Sequence, residues 1–349
     1  MRLCSAGGWL RLGSITMAPV LLITVSIALG IAIGETDISA TTVLQVLSNK
    51  LLGGQHALDP ITQGIVWNYR LPRALVAASC GAGLAIAGVI LQSLLRNALA
   101  EPYLLGISAG ASTGAVLVSV AGLGAGAISM TTGAFFGAVC AFALVALLAH
   151  AAGGGGLRNS GQIVLAGIAG SQLFNALTSL IITKSGSAEQ ARGIMFWLLG
   201  NLSGVRWPDT WLTASMALAG LLICLLHARA LDAFTFGAES ASALGVPVRR
   251  VQIVLLLAAA LITAVMVSIV GAIGFVGLVI PHAARLLVGV RHRHLIPASA
   301  LMGAIFLIAA DVLSRTMIPG QVLPIGVITA LVGAPVFACI LLKGRGGRA

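Results

Sequence analysis

The feature that most constrains this chain is a series of apolar runs, each near twenty residues long and separated by short polar breaks. The first covers residues 15–34, and others centre near residues 84, 114, 137, 173, 218, 260, 278, 305 and 332. A helix needs roughly 20 mostly apolar residues to cross the hydrocarbon core of a bilayer. Runs of this kind use up most of the 349 residues and leave no length for a soluble domain. Only 8% of the residues are Asp, Glu, Lys or Arg, against about 25% in a soluble domain. With 58% hydrophobic residues the chain is also far from a disordered composition. The expected fold is all-α: one transmembrane domain over residues 1–349, with about ten helices, multi-pass in a membrane.

The first run follows Arg2 and Arg11. It is too long for the apolar stretch of a signal peptide, and no small-x-small cleavage site follows it. It is read as a retained span with its N-terminus in the cytoplasm, and ten crossings would return the C-terminus there. Of the 20 Lys and Arg residues, seven fall in the segments this places outside (Lys50, Arg70, Arg73, Lys184, Arg192, Arg206 and Arg315) and thirteen inside. That asymmetry follows the positive-inside rule. It also accounts for the net charge of +11 without nucleic acid, for which there is neither a basic run nor a soluble module. A polar stretch with Glu35, Asp37 and Asp59 follows the first run and suits a short amphipathic helix near Thr41–Leu52. Gly153–Gly156 reads as a cytoplasmic turn.

Glycines recur at four-residue spacing at Gly106, Gly110 and Gly114, at Gly133 and Gly137, and at Gly200 and Gly204. One-turn spacing of small residues lets helix backbones approach closely. The five cysteines (Cys4, Cys80, Cys140, Cys224, Cys339) form no CxxC pair or Cys/His cluster, so no metal site or disulfide framework is expected. His282, beside Pro281 and Arg285, is the one candidate for an intramembrane ligand, and a lone histidine is more often a packed one. No G-x-x-x-x-G-K-[ST] loop is present, so this chain is expected to bind no ATP and no other cofactor itself; any ATP would sit on a partner subunit. Gly106-Ile107-Ser108-Ala109-Gly110 matches the nucleophile pattern G-x-S-x-G, but that pattern needs a strand–turn–helix context that an all-helical chain lacks. No catalytic residue is assigned.

Arg70-Leu71-Pro72-Arg73 stands where the second span begins, with Pro72 suited to the first helical position and the two arginines about one turn apart at the outer surface. Asp311 and Arg315, four residues apart, are expected to pair, because an unpaired charge within a span is costly. The longest cytoplasmic loop, 230–250, suits a short helix from Glu239, ended by Gly245 and Pro247.

At these residues the chain resembles the permease subunits of type II ABC importers, which take up iron–siderophores, haem and cobalamin. The resemblance spans residues 15–343. It is carried by Arg70–Arg73 through Gln92–Pro102 and Leu105-Gly106, by Gly271–His282, and by Ala310-Asp311 with Leu323–Val327 and Gly333–Phe337. Where the family has Asn-Pro-Leu-Ala, this chain has Asn97-Ala98-Leu99-Ala100.

The resemblance implies a homodimer, or a dimer with a paralogue, enclosing a wide and mostly apolar path. It also implies two ATPase subunits beneath and a soluble extracytoplasmic binding protein above. Arg70, Arg73 and Arg315 match docking arginines for that binding protein. Glu239, Ala241, Leu244 and Gly245 match the coupling helix that enters the ATPase. Asn97 and Leu99 match one cytoplasmic gate loop, with Ser160 and Gly161 on the opposing one. Transport would be by alternating access, with a ferric siderophore as first choice of substrate and haem or cobalamin as alternatives. Outside the family, the competing readings are an ion-coupled secondary transporter, for which Asp311 is the deep acid, and an intramembrane protease resting on Ser108.

Overall fold

The computed structural model describes residues 6–34, 36–122, 128–152, 160–184 and 188–345. The turn expected at Gly153–Gly156, together with Glu35 and the side chain of Ser160, lies outside them. The described residues are overwhelmingly helical and contain no strand. Ten helices coincide with the apolar runs: α1 (Ala6–Ala32), α4 (Leu71–Leu94), α5 (Ile107–Ala121), α6 (Met130–Ala151), α7 (Ser160–Ile182), α9 (Trp207–Leu226), α12 (Val248–Val270), α13 (Val276–Val288), α14 (His292–Thr316) and α15 (Ile325–Arg345). Six of the described helices are long and apolar enough to cross a membrane. α13, with 13 residues, rises only about 20 Å at 1.5 Å per residue and cannot span alone.

Between these run shorter helices: α2 (Ala40–Leu51), α3 (Pro60–Gly64), α8 (Ala188–Leu198), α10 (Ala228–Phe234) and α11 (Ala238–Ala243). α2 is the expected amphipathic helix. Ser39 caps it by accepting from the Thr42 N–H at 3.1 Å, and Val43 and Val46 face inward against Ile31, Val66 and Leu71. Leu44 and Leu51 face outward.

The second span does not begin at Pro72. α3, a π-helical segment Ile65–Arg70 and α4 form one helix from Pro60 to Leu94. Its start signal is Asp59-Pro60. The Asp59 carboxylate accepts from the Thr62 N–H and hydroxyl, each at 2.9 Å, and these bonds hold its pKa below the usual value. Proline lacks the N–H and its ring crowds the carbonyl four residues back, which would kink a regular helix. Here the helix widens first: the Leu71 N–H bonds to the carbonyl of Val66, five residues back, and Pro72 passes without a break.

α4 is the central post. Nearly every residue is buried, as expected of a helix apolar on all sides, and it packs against α9, α12, α13 and α14. Beside it α5 and α6 lie at very close range. Gly110 and Gly114 face the Gly133 and Gly137 backbone, and a methyl group on any of the four would overlap the facing helix. The third glycine pair does not belong to this pattern. Gly200 is in the left-handed region (φ +83°) in the turn after α8, where its carbonyl accepts the Ile325 N–H at 3.0 Å, and a methyl group on Gly204 would meet open space. Cys80 and Cys224 are buried, Cys140 and Cys339 exposed, and all four are free thiols.

Candidate functional site

Three features lie along the bundle: an arginine cluster at the end of α1, a polar cavity between α5 and α7, and a group of turns at the opposite end of α4.

The arginine cluster corrects the expected surface position of Arg70 and Arg73. Arg70, Arg73 and Arg315 are only 2%, 1% and 4% exposed. Asp311 takes Arg73 Nε on Oδ1 at 2.7 Å and Arg315 Nη2 on Oδ2 at 2.9 Å. The Asp311–Arg315 pair is thus formed as its spacing suggests, with Arg73 as a further partner. Arg73 also donates to the Tyr69 hydroxyl at 2.7 Å.

Arg73 Nη1 also reaches Ser203 Oγ at 3.3 Å and Arg315 Nε the Asp311 carbonyl at 3.3 Å, and the other donors of Arg70 and Arg315 go to the end of α1 and just beyond it. A helix leaves its last four carbonyls without intrahelical partners, and cations favour that end. Arg315 donates to the carbonyls of Gly30 and Ile33, both at 2.9 Å. Arg70 donates to those of Ile31 at 3.1 Å and Ala32 at 2.9 Å, and to Thr36 beyond. Two guanidinium groups from other helices therefore take the four successive carbonyls 30–33. Gly34 leaves room for the Arg70 guanidinium, which lies where its Cβ would be.

The cavity has a volume of about 530 Å³. Ser108 and Ser112 on α5 face it, as do Ser171, Asn175 and Thr178 on α7. The four- and three-residue steps set each group on one helical face. Behind the lining, Thr113 Oγ1 donates to the Phe174 carbonyl at 2.8 Å and tethers α5 to α7. Hydroxyl and amide groups stand out in an otherwise mostly apolar lining that carries no charged residue. Ser108 thus faces a cavity from the first turn of a helix, preceded by the left-handed Gly106 and no strand. His282 lines a different pocket.

Another cavity, of about 240 Å³, shares Tyr103, Ser171 and Asn175 with the first and adds Glu101. Glu101 Oε1 accepts the Phe275 N–H at 2.9 Å, and the Tyr103 hydroxyl accepts that of Ile273. Together they hold the irregular segment between α12 and α13, where Gly271 and Phe275 both have positive φ. Non-helical backbone at membrane depth is tolerated only inside protein or beside a water-filled cavity. Glu101 was legible only as part of a motif; its role in holding a break 174 residues away was not.

At the opposite end of α4, Asn97 Oδ1 accepts the Leu99 N–H at 2.9 Å and its carbonyl accepts that of Ala100 at 3.0 Å. The Asn97 side chain closes this turn, so Ala98 holds the place that the family gives to proline. Leu99 is half exposed, and Ser160 and Gly161 start α7. α11 is the short helix expected from Glu239, and α10, which no capping signal announces, precedes it. Ala241 is fully buried and Leu244 is 71% exposed. Gly245, at φ +82°, ends the turn. Among the described residues no three His, Cys, Asp or Glu side chains converge as a metal site.

A bundle of apolar helices with a hydroxyl- and amide-lined cavity beside a broken helix has the architecture of a polytopic membrane protein. The chain belongs to the FecCD transport family, which it matches over residues 21–343, and is a permease subunit of a type II ABC importer, multi-pass in the inner membrane. It is 41% identical to the ABC transporter permease protein YvrB of Bacillus subtilis over 334 residues, 93% of each chain. It is 41% identical over 300 residues to the cobalamin import system permease BtuC of Halobacterium salinarum, covering 84% of this chain and 78% of that one. The hemin transport system permease HmuU of Yersinia pestis is 37% identical over 285 residues, covering 80% and 84%. A metal-chelate type ABC transporter solved in an inward-facing conformation superposes with a TM-score of 0.80 at 30% identity, covering 95% of this chain and 99% of that one.

Proposed function

We propose that this permease passes an intact organic metal chelate inward, with a ferric siderophore as first choice and haem or cobalamin as alternatives. The uncharged Ser/Asn/Thr lining of the α5–α7 cavity carries this reading. Hydroxyl and amide groups can hydrogen-bond the periphery of a chelate, yet they lack the thiolate and imidazole that would compete for its metal. The named relatives that import cobalamin and hemin support the class and leave its member open.

Two copies, or this chain and a paralogue, would enclose the path. ATP would bind on separate subunits seated against α11, and closing them would rock the permeases between outward and inward states. This chain makes and breaks no bond in the substrate. Asn97, Leu99, Ser160 and Gly161 would form the inner gate. The extracytoplasmic binding protein would dock at the outer end, on the platform that Arg70, Arg73 and Arg315 hold together. Its acids would reach those arginines only in exchange for Asp311 or the α1 carbonyls.

The test is uptake into proteoliposomes holding this permease, its ATPase and its binding protein, supplied in turn with labelled ferric siderophore, hemin and cobalamin. ATP-dependent accumulation of one chelate is expected, falling at least about tenfold in a Ser171→Leu/Asn175→Leu variant that still assembles. Accumulation of none, from an assembled complex that hydrolyses ATP, would overturn the substrate class.

A further inference from the structure

A pocket of about 370 Å³ lies between the end of α4, the α10–α11 turn and the end of α13. Arg96, His282, Arg285 and His292 line it together with Gln92 and Ser93, and no carboxylate does. The adjacent acid, Asp232, is already engaged: its Oδ1 meets His292 Nδ1 at 2.7 Å and accepts the His292 N–H at 2.9 Å. Arg285 donates to the neutral Gln92 Oε1. The side chains of Arg96 and His282 make no hydrogen bond or ion pair among the described residues. Arg96 is also a non-glycine residue in the left-handed region (φ +47°), and its guanidinium lies against Gly237, the residue before α11. Among the described residues the pocket wall carries two guanidinium groups and no carboxylate, and Asp232 bonds to the His292 that forms part of that wall.

We propose that a carboxylate of the ATPase subunit enters this pocket and is held between Arg96 and Arg285. The proposal rests on the reading of α11 as the coupling helix. A guanidinium presents a planar fork that suits a carboxylate, and two of them with no internal acid fix the sign of the occupant. The position favours a protein partner over a lipid phosphate. Ala98 of the gate turn and Thr235 of the coupling segment form part of the wall, and Phe236 and Leu244 of that segment are 75% and 71% exposed, as a surface covered by a partner would be. One acid would then tie the gate turn and the coupling segment to the same point on the ATPase, so that its movement acts on both.

The test measures affinity between the permease in nanodiscs and its ATPase subunit at low and at high salt. Arg96→Gln is the first variant, because Arg96 holds nothing else in place. Arg96→Gln/Arg285→Gln is expected to bind about tenfold more weakly at low salt and with a flatter salt dependence, and Arg96→Lys/Arg285→Lys to recover part of the loss. Unchanged affinity and salt dependence in Arg96→Gln and in the double variant would overturn the proposal. So would native mass spectrometry showing an anionic phospholipid retained by the wild type and lost from the double variant. Leu244→Arg separates the two readings: if it abolishes binding while the arginine variants do not, the coupling helix stands and the pocket fails. If it binds normally, the coupling reading falls and the pocket with it.

Discussion

At one end of the bundle Arg73 and Arg315 share Asp311, and Arg70 and Arg315 close the end of α1. At the other end Arg96 and Arg285 share a pocket that has no acid. The Asp311 cluster is buried and internally satisfied. The Arg96–Arg285 group is more open, and no carboxylate lines its pocket. A charge taken out of water must be compensated: the buried arginines find that compensation within this chain, whereas Arg96 stands exposed and lines a pocket whose wall carries no carboxylate. Arg70, Arg73 and Arg315 are thus held within the fold whatever docks beside them, while for Arg96 and Arg285 a partner's acid is the proposed counter-charge.

The strongest way to break this contrast is Asp311→Ala, which leaves Arg73 and Arg315 buried without an acid. A loss of about 3–5 kcal/mol is expected, read as a large drop in the thermal unfolding midpoint of the purified permease. An unchanged midpoint would mean that the cluster holds nothing. Arg315→Leu keeps the Arg73–Asp311 pair but frees the carbonyls of Gly30 and Ile33; about 2–3 kcal/mol should be lost, with earlier proteolysis of α1 as the local readout. Gly34→Ala sharpens the role of Arg70 by placing a methyl group against its guanidinium, at a cost of about 1–3 kcal/mol on the same unfolding assay. Arg96→Gln is the opposite case and should change stability by less than about 0.5 kcal/mol. A larger change there would show the Arg96–Arg285 group to be structural as well.

Much of the architecture was legible along the chain. The ten apolar runs, the amphipathic helix over residues 40–51 and the short helix before Gly245 all follow from local composition and capping chemistry. The interlock of Gly110 and Gly114 with Gly133 and Gly137 follows from their spacing, whereas the same spacing at Gly200 and Gly204 falls in a loop and means nothing for packing. Pro72 misleads as a helix start because a π-turn before it absorbs the missing bond; the true signal, Asp59-Pro60, stands a few turns earlier. The polar stripe of α7 is written in the sequence as Ser171, Asn175 and Thr178 on one face. Only its alignment with Ser108 and Ser112 of α5 makes a cavity of it.

The sequence by itself determined that this chain lives in a bilayer, that it belongs with the importer permeases, and that Asp311 pairs with Arg315 one turn away. Those features depend on neighbours within a few residues, whose geometry a helix sets in advance. Only the tertiary structure decided that Arg73 reaches the same acid across 238 positions, that two arginines close the end of α1, and that Arg96 and Arg285 are left without an acid. Compensation of a buried charge depends on which helices meet, and in a bundle that is settled by packing between segments far apart in the chain.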